Sequence, residues 1–322
     1  MSNFTDPLLI SIETRLQDAD AGIRRVAVMD LVDSAEPEAV ELLIIALSDT
    51  DENVRMEAAK VIDEFEPMDM MDSLVTALIS VDENVRNAAA SALADLKDPA
   101  VAPALIEALK EDDAFVLTAI LRALKQLRIK DARPHAIELL QHSHPGVRRE
   151  AVGVLGYLQD VENLPQLMSV ASNDADPEVR RAAVGTLIFA PAGMVAESLM
   201  KAISDENWLV RVESIKGLGK LKVQESLPLL MAAVDDERWQ VQEKGAEAIG
   251  LLGAYKGIPA LAKCIVDPIS NLRKSAVAAL GQIKHVDGLP LLEIAKEDND
   301  PDVRKLARWA CDQIAEASEV EA

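Results

Sequence analysis

Aromatic residues are scarce in this chain of 322 residues. They make up 3% of the sequence although 49% of the residues are apolar, so Ala, Leu and Val have to fill the interior. Ala and Leu are strong helix formers, and no β-branched run alternates with polar residues as a half-buried strand would. We therefore predict an all-α protein.

Cysteines are nearly absent as well. Cys264 and Cys311 lie 47 residues apart and belong to no C-x-x-C motif, which is typical of proteins kept in a reducing compartment. The sequence also lacks a run of about 18 apolar residues that could span a membrane. Its beginning has no basic segment followed by an apolar core, as a signal peptide would have. We therefore expect a cytoplasmic protein without a membrane span.

Positive charge is the next shortage. The chain has 33 Lys and Arg against 55 Asp and Glu, a formal net charge of −22, and residues 1–100 hold 22 acidic and 7 basic residues. Binding to a phosphate backbone needs a basic stripe that releases counterions. The charge balance therefore disfavours nucleic acid as a partner.

The residues that usually carry out catalysis are few. The four histidines, His135, His142, His144 and His285, lie far in sequence from both cysteines, and no G-x-S-x-G motif occurs. Because a nucleophile needs a base within reach, we expect a non-enzymatic protein without a cofactor. The cluster of His135, His142 and His144 would need further ligands from a neighbouring repeat to hold a metal, so we interpret these residues as ordinary surface histidines.

What the sequence has in abundance is a repeated pattern. A Val, Leu or Ile followed, in eight of ten repeats, by Arg recurs every 31 residues, apart from one step of 32 residues between Arg148 and Arg180. A fixed period of this length is typical of solenoids. We call the second residue of each pair the anchor; the ten anchors are Arg24, Arg55, Arg86, Leu117, Arg148, Arg180, Arg211, Gln242, Arg273 and Arg304.

Each anchor lies in the first turn of a predicted helix. An Asp four residues earlier, as at Asp176, is a good N-cap, and a following proline such as Pro177 fits the first helical position. Apolar residues then recur at helical spacing, for example Ala183, Val184 and Leu187. A second apolar pattern precedes each of these helices, so every repeat is predicted to contain a helix A, an Asp-rich loop and a helix B.

The predicted fold is an α-α superhelix, a solenoid of ten two-helix repeats that forms a single domain over residues 1–322. The expected repeats cover residues 6–35, 36–66, 67–97, 98–128, 129–159, 160–191, 192–222, 223–253, 254–284 and 285–316, with a polar tail at 317–322.

Over residues 6 to about 316 this pattern resembles the HEAT-like repeats of the phycobilisome-lyase type. The resemblance implies an armadillo-like helical solenoid in which helix B lines the concave face. It also implies that the anchor arginines pair with loop aspartates and form a structural ladder. That role is expected for Arg55, Arg86, Arg180, Arg211 and Arg304. Because the shared residues are structural, the resemblance alone does not identify a function.

Solenoids present long, shallow surfaces that suit proteins better than small substrates. We therefore expect a non-enzymatic protein-binding scaffold, adaptor or assembly factor, whose protein partners the sequence does not identify. The main alternative is a bilin-lyase-like or other cofactor-maturation factor that acts on a protein client, although no motif beyond the generic repeat residues supports it. A nucleic-acid-binding solenoid is the third alternative.

The strongest candidate binding residues are aromatic. Trp208 and Trp239 lie three residues before the anchor in consecutive repeats, where most repeats have a small or polar residue. Tryptophan is enriched in binding hot spots, and two adjacent exposed rings would form an apolar ledge, although both could instead pack under neighbouring loops. Beside them Arg238 replaces a capping Asp and Gln242 replaces an anchor arginine. Such departures from a repeat rule often mark function or compensation.

Other candidates lie elsewhere on helix B. The basic residues one position after an anchor could bind an acidic segment of a partner, or could simply face solvent; they are Arg149, Arg181, Lys274 and Lys305. Tyr157 and Phe189 form a second aromatic pair near the ends of their helices. In the fourth repeat Phe115 and Leu117 also break the pattern, which packing could explain.

Overall fold

A computed structural model describes residues 4–34 and 38–320 of the chain. These residues form twenty α-helices and no strand, and each expected repeat contains one pair of helices. The predicted all-α solenoid fold is therefore confirmed. The chain divides into two compact units, and each is described by itself.

Unit 1, Met1–Leu158, contains the first five helix pairs. Odd-numbered helices are the A helices and even-numbered helices are the B helices. Their bounds are α1 Pro7–Leu16, α2 Ala21–Met29, α3 Ala39–Leu47, α4 Glu52–Val61, α5 Pro67–Ala77, α6 Glu83–Asp95, α7 Ala102–Ala108, α8 Ala114–Leu127, α9 Arg133–Leu139 and α10 Pro145–Leu158.

Unit 2, Gln159–Ala322, contains the other five pairs. They are α11 Leu164–Asn173, α12 Pro177–Leu187, α13 Ala192–Ala202, α14 Trp208–Lys220, α15 Leu227–Ala233, α16 Trp239–Leu252, α17 Ile258–Ile265, α18 Ser270–Ile283, α19 Leu289–Ala295 and α20 Pro301–Val320. Helix α20 continues to Val320, so residues 317–320 are helical instead of a polar tail. Residues 321–322 lie outside the described part of the chain.

Several B helices begin at loop aspartates. Asp51, for example, accepts hydrogen bonds from the N–H groups of Asn53 and Val54 at 2.8 and 3.3 Å. These bonds satisfy donors that have no partner within the first turn of a helix. The capping pattern read from the sequence therefore fixes where these helices start.

In unit 2 the B helices pack directly on one another, α12 on α14 and so on to α20. Close approach depends on glycines eight residues after the anchor. A Cβ at Gly250 would lie 2.7 Å from the Cα of Ala279, and one at Gly281 would lie 3.1 Å from the Cα of Ala310. Real Cβ atoms do not approach a neighbouring backbone as closely as 2.7 Å, so Gly250 is required for this packing, and a side chain at Gly281 would force its neighbour to shift.

In unit 1 the stacking of B helices is interrupted. Helix α2 packs on α4, and α6, α8 and α10 pack in series. Between α4 and α6 a cleft of about 1070 Å³ takes the place of direct packing. The second and third repeats are held together instead by α3, which packs against α5 and α6. The cleft therefore opens between two adjacent B helices.

None of the helices within residues 4–34 and 38–320 is both long and apolar enough to cross a membrane.

Candidate protein-binding surface

The B helices keep one stripe of side chains mostly outside the core, with the buried Val212 as an exception, and we call this stripe the helix-B face. It contains the residues one, five and nine positions after the anchor, together with the residue three positions before it. In unit 2 this face carries exposed large apolar groups, notably Phe189, Leu251 and Trp309. Apolar side chains distributed among charged ones are typical of surfaces that bind proteins.

Trp208 and Trp239 lie at the start of consecutive B helices of unit 2. Trp208 is the first residue of α14, whose N-cap Asn207 accepts a hydrogen bond from the N–H of Leu209 at 2.9 Å. Trp239 is the first residue of α16. Both side chains are half-buried. Packing therefore holds each ring in place, while part of its surface stays accessible to solvent.

A ladder of ion pairs connects the loops of unit 2. Arg180 donates two hydrogen bonds to Asp205, at 2.8 and 2.9 Å, and Arg211 donates two to Asp236, both at 2.8 Å. Bidentate pairs of this kind are charge-assisted and fix the relative position of their partners. The hydrogen bond to Asp205 raises the pKa of Arg180.

The same geometry recurs at the end of unit 2. Arg273 binds both oxygens of Asp298 at 2.6 and 2.9 Å. The hydrogen bond from Arg273 lowers the pKa of Asp298, which keeps the carboxylate ionised at neutral pH.

The ladder stops beside Trp239. The amide of Gln242 donates to the backbone oxygen of Asp236 at 2.6 Å, and so replaces only the contact that an anchor arginine makes within its own loop. Among the described residues Gln242 has no partner in the next repeat. Arg238 is the N-cap residue of α16 without a capping side-chain bond, and its side chain is 57% exposed. The second tryptophan therefore lies where the connection between neighbouring loops is weakest in unit 2.

In unit 1 the expected ladder is missing at Arg55 and Arg86. Arg24 pairs with Asp49 at 2.7 and 2.8 Å. Arg55 and Arg86 instead donate to backbone carbonyls of their own loops, Arg55 to Asp49 and Thr50, and Arg86 to Ser80. For Arg55 the reason is the residue six positions before the next anchor, which is Asp in unit 2 but Ser80 in the third repeat. This signal was visible in the sequence, and the expectation of a ladder at Arg55 and Arg86 is corrected.

Two further anchors differ from the ladder. Arg304 belongs to the last repeat and donates to the backbone oxygens of Asp298 and Asn299. Leu117 is buried, so it serves as packing in place of an ion pair. Above it the guanidinium of Arg86 lies 5.7 Å from the ring centre of Phe115, within the range of a cation–π contact.

Most of the basic candidate residues already have acidic partners. Arg181 lies 2.7 Å from Glu178, and Lys274 lies 3.1 Å from Asp300. The guanidinium of Arg149 lies 3.6 Å from the buried carboxylate of Glu150. Lys305 is exposed. A partner that bound the first three residues would have to compete with these internal ion pairs.

The second aromatic pair is divided between the two units. In unit 1 the ring of Tyr157 has the amino group of Lys125 and the guanidinium of Arg128 at 5.8 Å from its centre. In unit 2 Lys220 lies 4.4 Å from the ring centre of Phe189, which remains exposed. Both rings therefore form cation–π contacts of their own.

Sequence reasoning missed one charged cluster. Glu150, on α10, is buried and accepts a hydrogen bond from Lys125 at 2.8 Å, with Arg122 at 3.6 Å. Lys125 reaches it across Gly153, where a Cβ would lie 2.8 Å from the lysine Cδ. The glycine was the only signal of this contact, and its meaning depends on the neighbouring helix.

Two of the histidines and one cysteine are held by local hydrogen bonds or by burial. His142 and His144 each accept a backbone hydrogen bond through Nδ1, from the N–H groups of His144 and Gly146 at 3.0 and 3.1 Å. Burial raises the pKa of the Cys264 thiol to about 11, and Asp267 and Asp235 add to the effect. The thiol is therefore protonated at neutral pH and is a weak nucleophile.

Comparison with known families accounts for this architecture. A model of the family of HEAT repeats matches five overlapping stretches, residues 11–80, 61–125, 116–188, 164–249 and 230–311. The chain belongs to the HEAT-repeat family. A search of curated proteins found no match.

Several solved HEAT-like structures are similar in fold. An engineered protein matches with a TM-score of 0.50 and 20% identity, covering 96% of this chain and 99% of its own. Kap95p, solved with RanGDP, matches with a TM-score of 0.62 and 16% identity over 95% of this chain and 50% of its own. Kap121p matches with a TM-score of 0.56 and 16% identity over 96% of this chain and 41% of its own. The chain thus spans half or less of the two Kap proteins, and the similarity concerns the fold.

Proposed function

We propose that this HEAT-repeat chain is a non-enzymatic scaffold or adaptor that binds a protein partner through the helix-B face of unit 2. The observation that carries the proposal is the pair of half-buried tryptophans at equivalent positions of α14 and α16. Rigid aromatic anchors that keep some solvent contact are favoured at the centres of protein interfaces. Solenoids of the same fold bind proteins, as in the structures of Kap121p with Nup53p and with Pho4p.

The surroundings of the tryptophans support a binding role. Arg211, on the helix of Trp208, pairs with Asp236 in the loop just before Trp239, whereas Gln242 leaves that loop without an equivalent bond to the next repeat. The exposed side chain of Arg238 adds a charged donor beside the second ring. A partner segment with a large apolar residue and a neighbouring carboxylate would complement this group.

The test is a pair of substitutions in the full chain. The variant Trp208→Ala with Trp239→Ala should keep its helicity and its melting temperature nearly unchanged and should lose its partner. Affinity purification of the tagged chain from its native cells, followed by mass spectrometry, measures that loss. Tyr255→Ala is the matched control, because Tyr255 is a 50% exposed aromatic residue in the turn between α16 and α17, outside the helix-B face; it should retain the partner.

Two results would contradict the proposal. A large loss of stability in the double variant would show that both rings belong to the core. Retention of the partner would place its binding site elsewhere. The finer resemblance to the phycobilisome-lyase type stays a prediction, and a visible absorption band in the purified material would favour cofactor maturation as the function.

A further inference from the structure

The cleft between α4 and α6 is the most unusual feature of unit 1. Its walls are two stripes of residues at helical spacing. The α4 wall contains Glu52, Arg55, Met56 and Ala59, and the α6 wall contains Asn84, Asn87, Ala88, Ser91, Ala92 and Asp95. Met70 and Leu96, both buried, lie at its inner end. The cleft therefore has an apolar interior and a polar rim.

The walls consist of positions that are core elsewhere in the fold. Ala59 is four residues after its anchor and is exposed, whereas Val28, Val152, Val184, Ile215 and Val277 at the same position are fully buried. Ala92 is six residues after its anchor and is half-buried, whereas Ala123, Val154, Ala248, Ala279 and Ala310 are at most 2% exposed. The two walls thus carry surfaces that a helix covers in the other repeats.

Local sequence explains why α4 and α6 do not cover each other. Eight residues after the anchor, the seventh, eighth and ninth repeats have glycines that allow close approach, whereas the second repeat has Asp63. A carboxylate there would be pressed against Ala92 and would lose its water, which is costly for an unpaired charge. The ladder is missing at the same junction, because Ser80 replaces the aspartate that would receive Arg55. Both contacts that would close the cleft are therefore absent from this junction.

We infer that the cleft is a docking site for a basic amphipathic helix of a partner protein. The shape of the cleft favours a helix as its occupant. Both walls are rows of side chains at helical spacing, and in the other repeats such rows pack against a neighbouring helix. A helix is about 10 Å across, so a space of about 1070 Å³ holds about nine residues of it. The small side chains of Ala59, Ala88 and Ala92 allow close approach. Met56, a flexible side chain, adapts to irregular partners.

The charge argues for a basic partner. Glu52, Asp63 and Asp95 are exposed on the rim, and none of them forms an ion pair with another described residue. The basic residues of the lining are Arg55, already bound to its own loop carbonyls, and Lys97. The surrounding residues 1–100 carry 22 acidic and 7 basic side chains. Lys and Arg flanking the apolar stripe of the incoming helix would meet these free carboxylates.

This site is independent of the tryptophan surface proposed for unit 2, and its test uses a defined probe. The probe is a fluorescent amphipathic peptide of about 18 residues with a Leu stripe and Lys elsewhere, long enough to form a helix. A peptide with Glu in place of Lys and a scrambled Lys peptide are the comparisons. We expect the Lys helix to bind the full chain at least about tenfold more tightly than either, measured by fluorescence anisotropy.

Four double variants locate the binding. Ala59→Trp with Ala92→Trp fills the cleft, and should weaken binding at least about tenfold while helicity and melting stay unchanged. Ala19→Trp with Ala100→Trp introduces the same side chains at exposed positions outside the lining, and should leave binding unchanged. Asp63→Lys with Asp95→Lys should reverse the preference in favour of the Glu peptide. The variant that removes the tryptophans of unit 2, Trp208→Ala with Trp239→Ala, should bind the Lys helix as tightly as the native chain.

Three outcomes would overturn the inference. Equal binding by the cleft-filling variant would place the peptide elsewhere on the acidic surface. Absence of binding by the native chain would show that the cleft does not accept a helix. A concentration-dependent dimer of the native chain that the cleft-filling variant loses, seen by analytical ultracentrifugation, would make a second copy of the chain the occupant.

Discussion

At the scale of single residues, the anchor position decides whether one loop is connected to the next. An arginine there reaches the following repeat only if that repeat places an Asp six positions before its own anchor. Arg211 has such a partner in Asp236, and Arg55 does not. Each ion pair of the ladder therefore depends on the residue types at two positions 25 residues apart, an arginine at one and an aspartate at the other.

Restoring the missing connection in the eighth repeat gives a residue-scale prediction. Gln242→Arg should donate a bidentate pair to Asp267, as Arg211 does to Asp236, and should raise the free energy of unfolding by about 1 kcal/mol. Urea denaturation measures the gain. The same substitution in an Asp267→Ala background should give no increase; an equal gain there would show that the added arginine acts by another contact.

At the scale of helices, small residues decide how closely neighbouring B helices approach. Gly250 and Gly281 allow direct contact in unit 2, whereas Asp63 stands at the equivalent position just after α4, where direct packing on α6 is missing. The core between helices is then filled by Leu, Val and Ala, since the chain has few aromatic residues.

Core truncation tests this packing. Leu280 on α18 is 1% exposed, so Leu280→Ala should lower the free energy of unfolding by about 2–5 kcal/mol through lost contacts and the cavity left behind. Val184→Ala should cost somewhat less. As the control, Ile294→Ala removes an exposed side chain on α19 and should change stability by no more than about 0.5 kcal/mol. Equal losses at Leu280 and Ile294 in urea denaturation would contradict the assigned core.

At the scale of the whole molecule, charge is the dominant property. Unit 1 contains 29 acidic and 15 basic residues and unit 2 contains 26 and 18, so the net charges are −14 and −8. Both units therefore repel a phosphate backbone, and both attract basic partners over a distance set by the salt concentration.

This charge leads to a prediction about nucleic acid. Labelled duplex DNA should show no binding to the chain in fluorescence anisotropy at 50 or 200 mM salt, because the described surface offers no basic stripe that would release counterions. A charge-reversed probe, the Lys helix described above, serves as the positive control. Binding of DNA that weakens steeply between the two salt concentrations would restore the nucleic-acid alternative.

The all-α class, the period of 31 residues and the number of twenty helices follow from the amino-acid sequence alone. These features depend on neighbours within a few residues: Asp51 caps the helix that follows it, and Val184 and Leu187 lie on one face of the same helix. Local rules therefore suffice for them. The tail was the exception, since α20 continues to Val320.

Only the tertiary structure decided which repeated positions are buried. Ala59 and Ile215 occupy the same place in the repeat, yet one is exposed and the other fully buried. Trp208 and Trp239 are half-buried, which spacing alone left open. The physical reason is that burial at these positions depends on the adjacent helix, through the side chain of Asp63 at one junction and the missing side chain of Gly250 at another. A repeat pattern describes one repeat at a time, whereas the exposure of a side chain depends on how two neighbouring repeats pack against each other.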